Sequence, residues 1–278
     1  MQLYTRRVVA NRICLSLSLV AMAVGLAVLA WIVGVLVVKG IGAVRPSVFT
    51  AMTPPPGEAG GLLNAIVGSL LMVTVGTLIA TPTGVLAGIY LAEYGGRGWL
   101  APVTRFVNDI LLSAPSIILG LFIYAVYVAN VKHFSGWSGA FALALIAVPV
   151  IVRATDNMLA LVPNSLREAA AALGAPRWKV IWLVTLRASR AGVLTGILLA
   201  VARISGETAP LLFTALNSPY WPESLGKPTA NLTTTIFAFA MSPYPRWQTM
   251  AWGAALLITL AVLLITVAAR TILKGKKP

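Results

Sequence analysis

Acidic side chains are almost missing from this sequence. Seven Asp and Glu (Glu58, Glu93, Asp109, Asp156, Glu168, Glu207 and Glu223) stand among 278 residues against 21 Lys and Arg, and charged residues of both signs reach only 10%. With 59% of positions hydrophobic, that shortage excludes a soluble globular domain and marks an integral membrane protein. Cysteine is scarcer still: Cys14 stands alone inside an apolar run, which excludes an intrachain disulfide. The one histidine, His133, lies in a short loop with no Cys/His cluster of metal-ligand spacing around it, and reads as structural. A phosphate-cradling loop is missing as well. The only Gly-Lys pairs, Gly226-Lys227 and Gly275-Lys276, have Trp221 and Arg270 where the first Gly of Gly-x-x-x-x-Gly-Lys belongs. There is no Gly-x-Ser-x-Gly elbow either, so neither ATP hydrolysis nor other enzyme chemistry is expected of the chain itself.

What is present is apolar length. Six long runs, near Ile13 to Val38, Leu62 to Tyr90, Val103 to Val131, Ala140 to Leu161, Ala191 to Ala215 and Met250 to Leu273, each suffice to cross a hydrocarbon layer of ~30 Å as helix. The first is too long for a signal-peptide core and is expected to stay as a helix. The net charge of +14 is carried between these runs, which points to a membrane face rather than to nucleic acid. With the N-terminus inside, fifteen Lys and Arg fall on inner segments and five on outer ones, while Arg203 lies within a span. That split predicts an all-α protein of six transmembrane helices with both termini cytoplasmic. The expected organisation is a cytoplasmic segment 1–12, a transmembrane domain 13–273 with a cytoplasmic loop 163–190, and a basic cytoplasmic tail 274–278. The outer segments, Lys39 to Gly61 and Leu216 to Gln248, are rich in Pro and Gly and too short to bury cores of their own. No internal repeat is visible.

The inner loop carries the pattern of most interest. From Val162 to Arg187 it reads VPNSLREAAAALGAPRWKVIWLVTLR, in which Glu168 to Leu173 favours helix, Gly174 ends it and Pro176 starts a second, amphipathic segment. Two readings fit: a docking element for a cytoplasmic partner, or an interfacial helix pair held by Arg167, Arg177 and Lys179 against anionic lipid. Beyond the loop, Arg203 and Glu207 are four residues apart, on one face of a continuous helix. A bilayer-centre Arg costs ~2.5–3.5 kcal/mol and so needs protein or water beside it. Arg153 and Asp156 form a second possible pair, at i, i+3.

Together these segments resemble the phosphate-specific branch of the ABC-importer permeases, the A-type or PstA family. Glu168, Ala169, Ala170, Gly174, Val184 and Leu186 match the Glu-Ala-Ala loop of importer permeases, and Arg187 replaces the Pro that usually closes the pattern. Arg203-Ile-Ser-Gly-Glu-Thr-Ala-Pro210, Glu93-Tyr94 and Leu112-Ser-Ala-Pro-Ser116 are similar to the phosphate branch. The resemblance covers roughly Leu62 to Leu273. It implies the type I importer fold in a prokaryotic plasma (inner) membrane. It also implies a complex with a homologous C-type permease, two ATP-binding subunits that use ATP and Mg, and an extracytoplasmic phosphate-binding protein, with no cofactor on this chain. On that reading Glu168, Ala169, Ala170 and Gly174 couple to the ATPase, with Gly174 as hinge. Arg203, Glu207 and Thr208 line the pathway of inorganic phosphate, with Arg203 offering donors to its oxygens, unless Arg203 and Glu207 only neutralise each other. A permease for another oxyanion and an ATPase-independent anion transporter or channel are the alternatives.

The remaining features read structurally. Pro82 is expected to kink the second helix, with Thr81 and Thr83 satisfying freed carbonyls. Gly84-x-x-x-Gly88 and Gly192-x-x-x-Gly196 permit close helix approach. Tyr220, Trp221, Tyr244 and Trp247 suit an interfacial aromatic belt or a contact with the binding protein.

Overall fold

The computed structural model describes residues 2–96 and 98–274, so Arg97 and the expected tail at 275–278 lie outside the described residues. All of the regular structure described is helical. In chain order it comprises α1 (Gln2–Ile41), α2 (Pro46–Thr50), α3 (Leu63–Ile89) with a π-helical end (Tyr90–Tyr94), and α4 (Leu100–Ser113). Then come α5 (Ser116–Ile123), a π turn (Tyr124–Val128), α6 (Ala129–Val131), α7 (Gly136–Ala160) and α8 (Asn164–Ala172). The chain closes with α9 (Arg177–Lys179), a π segment (Val180–Thr185), α10 (Leu186–Ser205), α11 (Ala209–Leu212), α12 (Leu232–Ala240) and α13 (Pro245–Lys274). Among the described residues, five helices are long and apolar enough to span a membrane, and the bent pair α4 and α5–α6 makes a sixth crossing if counted as one.

Helix α7 is the centre, and glycine is what lets its neighbours reach it. Ser135 starts it with a capping box, accepting from the Ser138 backbone N–H while the Ser138 hydroxyl reciprocates. On one side α3 packs against it so closely that a methyl at Gly84 would stand 2.8 Å from the Cβ of Ile151, and one at Gly88 2.5 Å from that of Thr155. On an adjoining face, α10 approaches so that a methyl at Gly192 would meet the Met158 sulfur at 2.2 Å and one at Gly196 the Ala154 Cβ at 2.3 Å. Lipid supplies no hydrophobic drive between helices, so close backbone approach of this kind is the main source of cohesion. Met72, Leu143, Ile146, Ile151 and Ile204 fill the resulting core.

By contrast, α1 buries none of its apolar stretch. It leans on α13 only near its end, where Gly40 lies against Trp252 and Leu256 and the Lys39 ammonium sits 5.0 Å from the Trp252 ring. The described part of segment 1–12 is continuous with the first span, and 40 residues of helix measure about 60 Å.

Two expected spans are broken. The run from Val103 to Val131 is not one helix but turns through 107° between Ser113 and Ser116. Pro115 has no N–H for the Leu111 carbonyl and forces Ala114 into an extended conformation, φ −66° and ψ 136°. Likewise the run from Ala191 to Ala215 stops at Ser205, because Pro210 cannot continue a helix through Gly206, and restarts as α11. The two breaks pack together: a methyl at Gly120 of α5 would stand 2.5 Å from the Cα of Pro210. Irregular backbone at membrane depth is tolerated where protein buries it in this way.

Other expectations are adjusted. α3 passes through Pro82 as a single helix, and the Thr83 hydroxyl turns to the Ile79 and Ala80 carbonyls rather than to Leu78, whose helical donor Pro82 removes; the Thr81 hydroxyl has no partner. The segment Leu216 to Gln248 contains α12, capped by Asn231 accepting from the Thr234 N–H at 2.8 Å and packed on α13. Trp247 stacks on Phe239 with ring centroids 4.4 Å apart, so part of the expected aromatic belt is core.

Candidate functional site

The loop 163–190 forms as two helical arms joined at Gly174. Helix α8 ends in a Schellman turn: the Gly174 N–H reaches the Ala171 carbonyl at 2.9 Å and the Ala175 N–H the Ala170 carbonyl at 3.2 Å. Gly174 has φ +77°, a left-handed conformation that glycine adopts without strain, and nothing lies within 4 Å of where a methyl would be. The second arm is not a separate amphipathic helix. From Arg177 it runs through the π segment into α10 as one 29-residue element ending at Ser205. Arg187 lies inside that continuous stretch, where a Pro would remove a backbone donor.

The two faces of α8 differ. Leu166, Ala169 and Leu173 share one face and are exposed, Leu173 by 89%. Glu168 and Gly174 are exposed and Ala170 is half-buried, and α8 as a whole buries no residue. Asn164, Arg167 and Ala171 turn the other way, over a cavity of about 530 Å³ that Glu93, Arg177, Val180 and Ile181 help to line. On this face Arg167 and Glu93 form an ion pair, with Nε and Nη2 at 3.2 and 3.0 Å from one carboxylate oxygen. Arg177 stacks 4.3 Å above the Tyr94 ring and donates to the Glu93 carbonyl. Both guanidinium groups thus bind protein. Lys179 rests 5.5 Å over the Trp178 ring.

The break in the fifth span separates Arg203 from Glu207. Arg203 lies in the last turn of α10, where a cation suits the helix dipole, and is exposed. Glu207 lies beyond the helix end and is half-buried, its carbonyl accepting from the Thr233 hydroxyl at 2.8 Å. Thr208 is also half-buried, immediately before α11. Neither Arg203 nor Glu207 takes part in any of the four ion pairs among the described residues. The neutralising pair, one of the two readings open for these residues, is thus not formed, because the two residues do not share a helical face. The Arg153–Asp156 pair is replaced too. Arg153 bonds Asp109 at 2.8 Å and Arg105 bonds Asp156 at 3.2 Å, so each charge is matched between α4 and α7 rather than along one helix.

Sequence reasoning missed the pairing of Glu93 with Arg167. The scarcity of acidic residues was the available signal: a lone carboxylate at the end of an apolar run, in a chain with a loop rich in Arg, needs a partner.

Residues 84–275 match the family described as binding-protein-dependent transport system inner membrane component. The phosphate transport system permease protein PstA of Yersinia pestis is 59% identical over 96% of this chain and 91% of its own length. PstA 1 of Mycobacterium tuberculosis (strain ATCC 25618 / H37Rv) is 34% identical over 96% of this chain and 88% of its own. Among solved structures, an inward-facing MetNI methionine ABC transporter superposes with a TM-score of 0.64 at 20% identity, over 78% of this chain and 96% of that one. A bacterial alginate ABC transporter superposes with a TM-score of 0.57 at 16% identity, over 90% of this chain and 92% of that one. These two likenesses concern the fold.

Proposed function

The chain belongs to the binding-protein-dependent transport system inner membrane component family, in its PstA phosphate-permease branch, and from that premise we propose how it works. It is the membrane-spanning permease subunit of a phosphate ABC importer and a transport subunit rather than an enzyme. In the assembly we propose, it pairs with a homologous C-type permease. Two ATP-binding subunits hydrolyse ATP with Mg on the inner side, and an extracytoplasmic binding protein delivers phosphate. The chain lies in the bacterial inner membrane with both termini cytoplasmic, as its fifteen-to-five distribution of Lys and Arg supports.

One observation carries the coupling role: α8 is a helix that buries nothing of its own and presents Leu166, Ala169 and Leu173 to solvent at the hinge end of the loop. An exposed apolar stripe on a short helix is an anchor for a groove in another protein. The groove belongs to the ATP-binding subunit in this account, and its closing moves α8 as a lever about Gly174, whose left-handed turn fixes the angle between the arms. The second arm conducts that movement into α10, and so to Arg203.

At the far end of α10, Arg203 supplies the charge that a phosphate dianion needs. Its guanidinium has no carboxylate partner among the described residues, so its planar donors remain available for oxyanion oxygens. Glu207 and Thr208, on the irregular backbone that follows, add an acceptor for the phosphate hydroxyl and a hydroxyl group. An acidic group near the path keeps phosphate binding weak enough for release. The test is reconstitution of the purified complex in vesicles with external binding protein. The account expects phosphate uptake that requires ATP inside and is lost when Arg203 becomes Gln. Uptake by this chain alone, without ATP-binding subunits, would favour an ATPase-independent anion transporter instead.

A further inference from the structure

Three arginines from three different elements converge on the inner end of α3. The last carbonyls of a helix have no intrahelical donors and carry the negative end of its dipole. In α3 that end is wound as a π-helical turn, Tyr90–Tyr94, a form that occurs mostly as single turns at functional places. Arg105 of α4 donates to the Leu91 carbonyl at 3.1 Å. Arg177, at the start of the second loop arm, donates to the Glu93 carbonyl and covers the Tyr94 ring. Arg167 of α8, on the first arm, takes the Glu93 carboxylate with two donors and gives the rest to the Val162 carbonyl (2.5 Å), the Asn164 side chain (3.1 Å) and the Leu159 carbonyl (2.8 Å). Its guanidinium is therefore saturated, and it ties the end of α3 to the end of α7.

Both arms of the coupling loop, one on each side of Gly174, are thus fastened to one point. The fastening is polar. Helix α8 buries no side chain and lies over a cavity, whereas Glu93 is 8% exposed and Arg167 20%. Hydrogen bonds to charged groups inside a poorly solvated site are strong and directional, and they break or reform as units. A small displacement of the loop is therefore delivered whole to α3.

We propose that Glu93, with Arg167 and Arg177, is a transmission latch: it carries the movement of the coupling loop into α3 and α7, in parallel with the direct path through the second arm into α10. Glu93 and its two arginines are positioning residues that touch neither phosphate nor nucleotide. The latch rests on the coupling role proposed above and explains how a single loop moves both sides of the glycine-packed core at once. Without it, α10 would be driven and α3 would follow only by packing.

The test compares phosphate imported with ATP hydrolysed in the same vesicles containing the complete complex. Glu93→Gln leaves the shape and removes the charge, and Arg167→Lys keeps the charge and removes the fork. Each is expected to lower the ratio of phosphate to ATP about tenfold, the scale of one lost charge-assisted hydrogen bond, while the yield of assembled complex and its ATP hydrolysis stay near wild type. Glu93→Asp, which retains a carboxylate, is expected to recover part of the ratio. If Glu93→Gln does not assemble, Arg177→Gln removes the fastening of the second arm alone and is read in the same way, with a smaller fall expected. An unchanged ratio in assembled variants overturns the latch, and so does a parallel loss of yield, hydrolysis and uptake in all of them, which would make the contact structural only. Wild-type complex in the same vesicles guards the premise: if it imports phosphate without ATP the coupling role itself fails, whereas ATP-driven import with indifferent variants refutes only the latch.

Discussion

The core around α7 and the loop after it are held by opposite means. In the core, α3 and α10 approach α7 over Gly84, Gly88, Gly192 and Gly196; a methyl group at Gly84, Gly88 or Gly196 would stand 2.8 Å or less from a Cβ of α7, and cohesion comes from shape. In the loop, α8 has open space around Gly174, buries nothing and is fastened by guanidinium groups to one helix end. Shape complementarity resists continuous deformation, and a polar latch has discrete made and broken states. A machine that must transmit force without losing its frame has use for both. The difference suggests that variants in the core destroy the assembly, while variants in the loop leave it assembled and idle.

That contrast is tested most severely in the core. Gly88→Leu would force a side chain into the Thr155 contact, and overpacking of this kind costs about 1–3 kcal/mol or more; Gly196→Leu does the same against Ala154. Both are expected to abolish recovery of the complex from membranes, measured by co-purification of its subunits. Arg203→Gln comes next. Uptake of phosphate should be lost while assembly is retained, because Arg203 supports no ion pair among the described residues; radiolabelled uptake beside complex yield decides it. Gly174→Val follows, with no clash to fear and a strain of about 1–2 kcal/mol from its φ of +77°. It should reduce phosphate imported per ATP while sparing assembly, and Gly174→Asn, which tolerates left-handed backbone, should do so less. The smallest effect is expected at the exposed Arg153–Asp109 pair: Asp109→Asn should change stability by about 0–1 kcal/mol, seen as little or no shift in thermal unfolding of the detergent-solubilised complex.

The sequence made the class and the apolar spans legible, because apolar length is summed over many residues. The glycine pairs were legible for the same reason that they work, since only absence of a side chain permits contact. What escaped was local. Pro115 and Pro210 break their spans, yet a run of apolar residues looks the same whether or not the backbone bends within it. Glu207 was placed on the face of Arg203 by counting through that break. Charge partners also escaped, because Arg153 and Asp156 find Asp109 and Arg105 across helices, and Glu93 finds Arg167 at a separation of 74 residues. Helix periodicity reports neighbours along one helix and says nothing of neighbours across two.

The most direct measurement concerns Leu173, the exposed tip of α8. Cys14 is the only cysteine, so a Cys14→Ser chain carrying Leu173→Cys offers one reactive thiol for crosslinking in membranes that actively import phosphate. The account predicts that the thiol is captured by an ATP-binding subunit and that a reducible crosslink stops uptake until reductant restores it. Crosslinking to no ATP-binding subunit in membranes with normal uptake would contradict it.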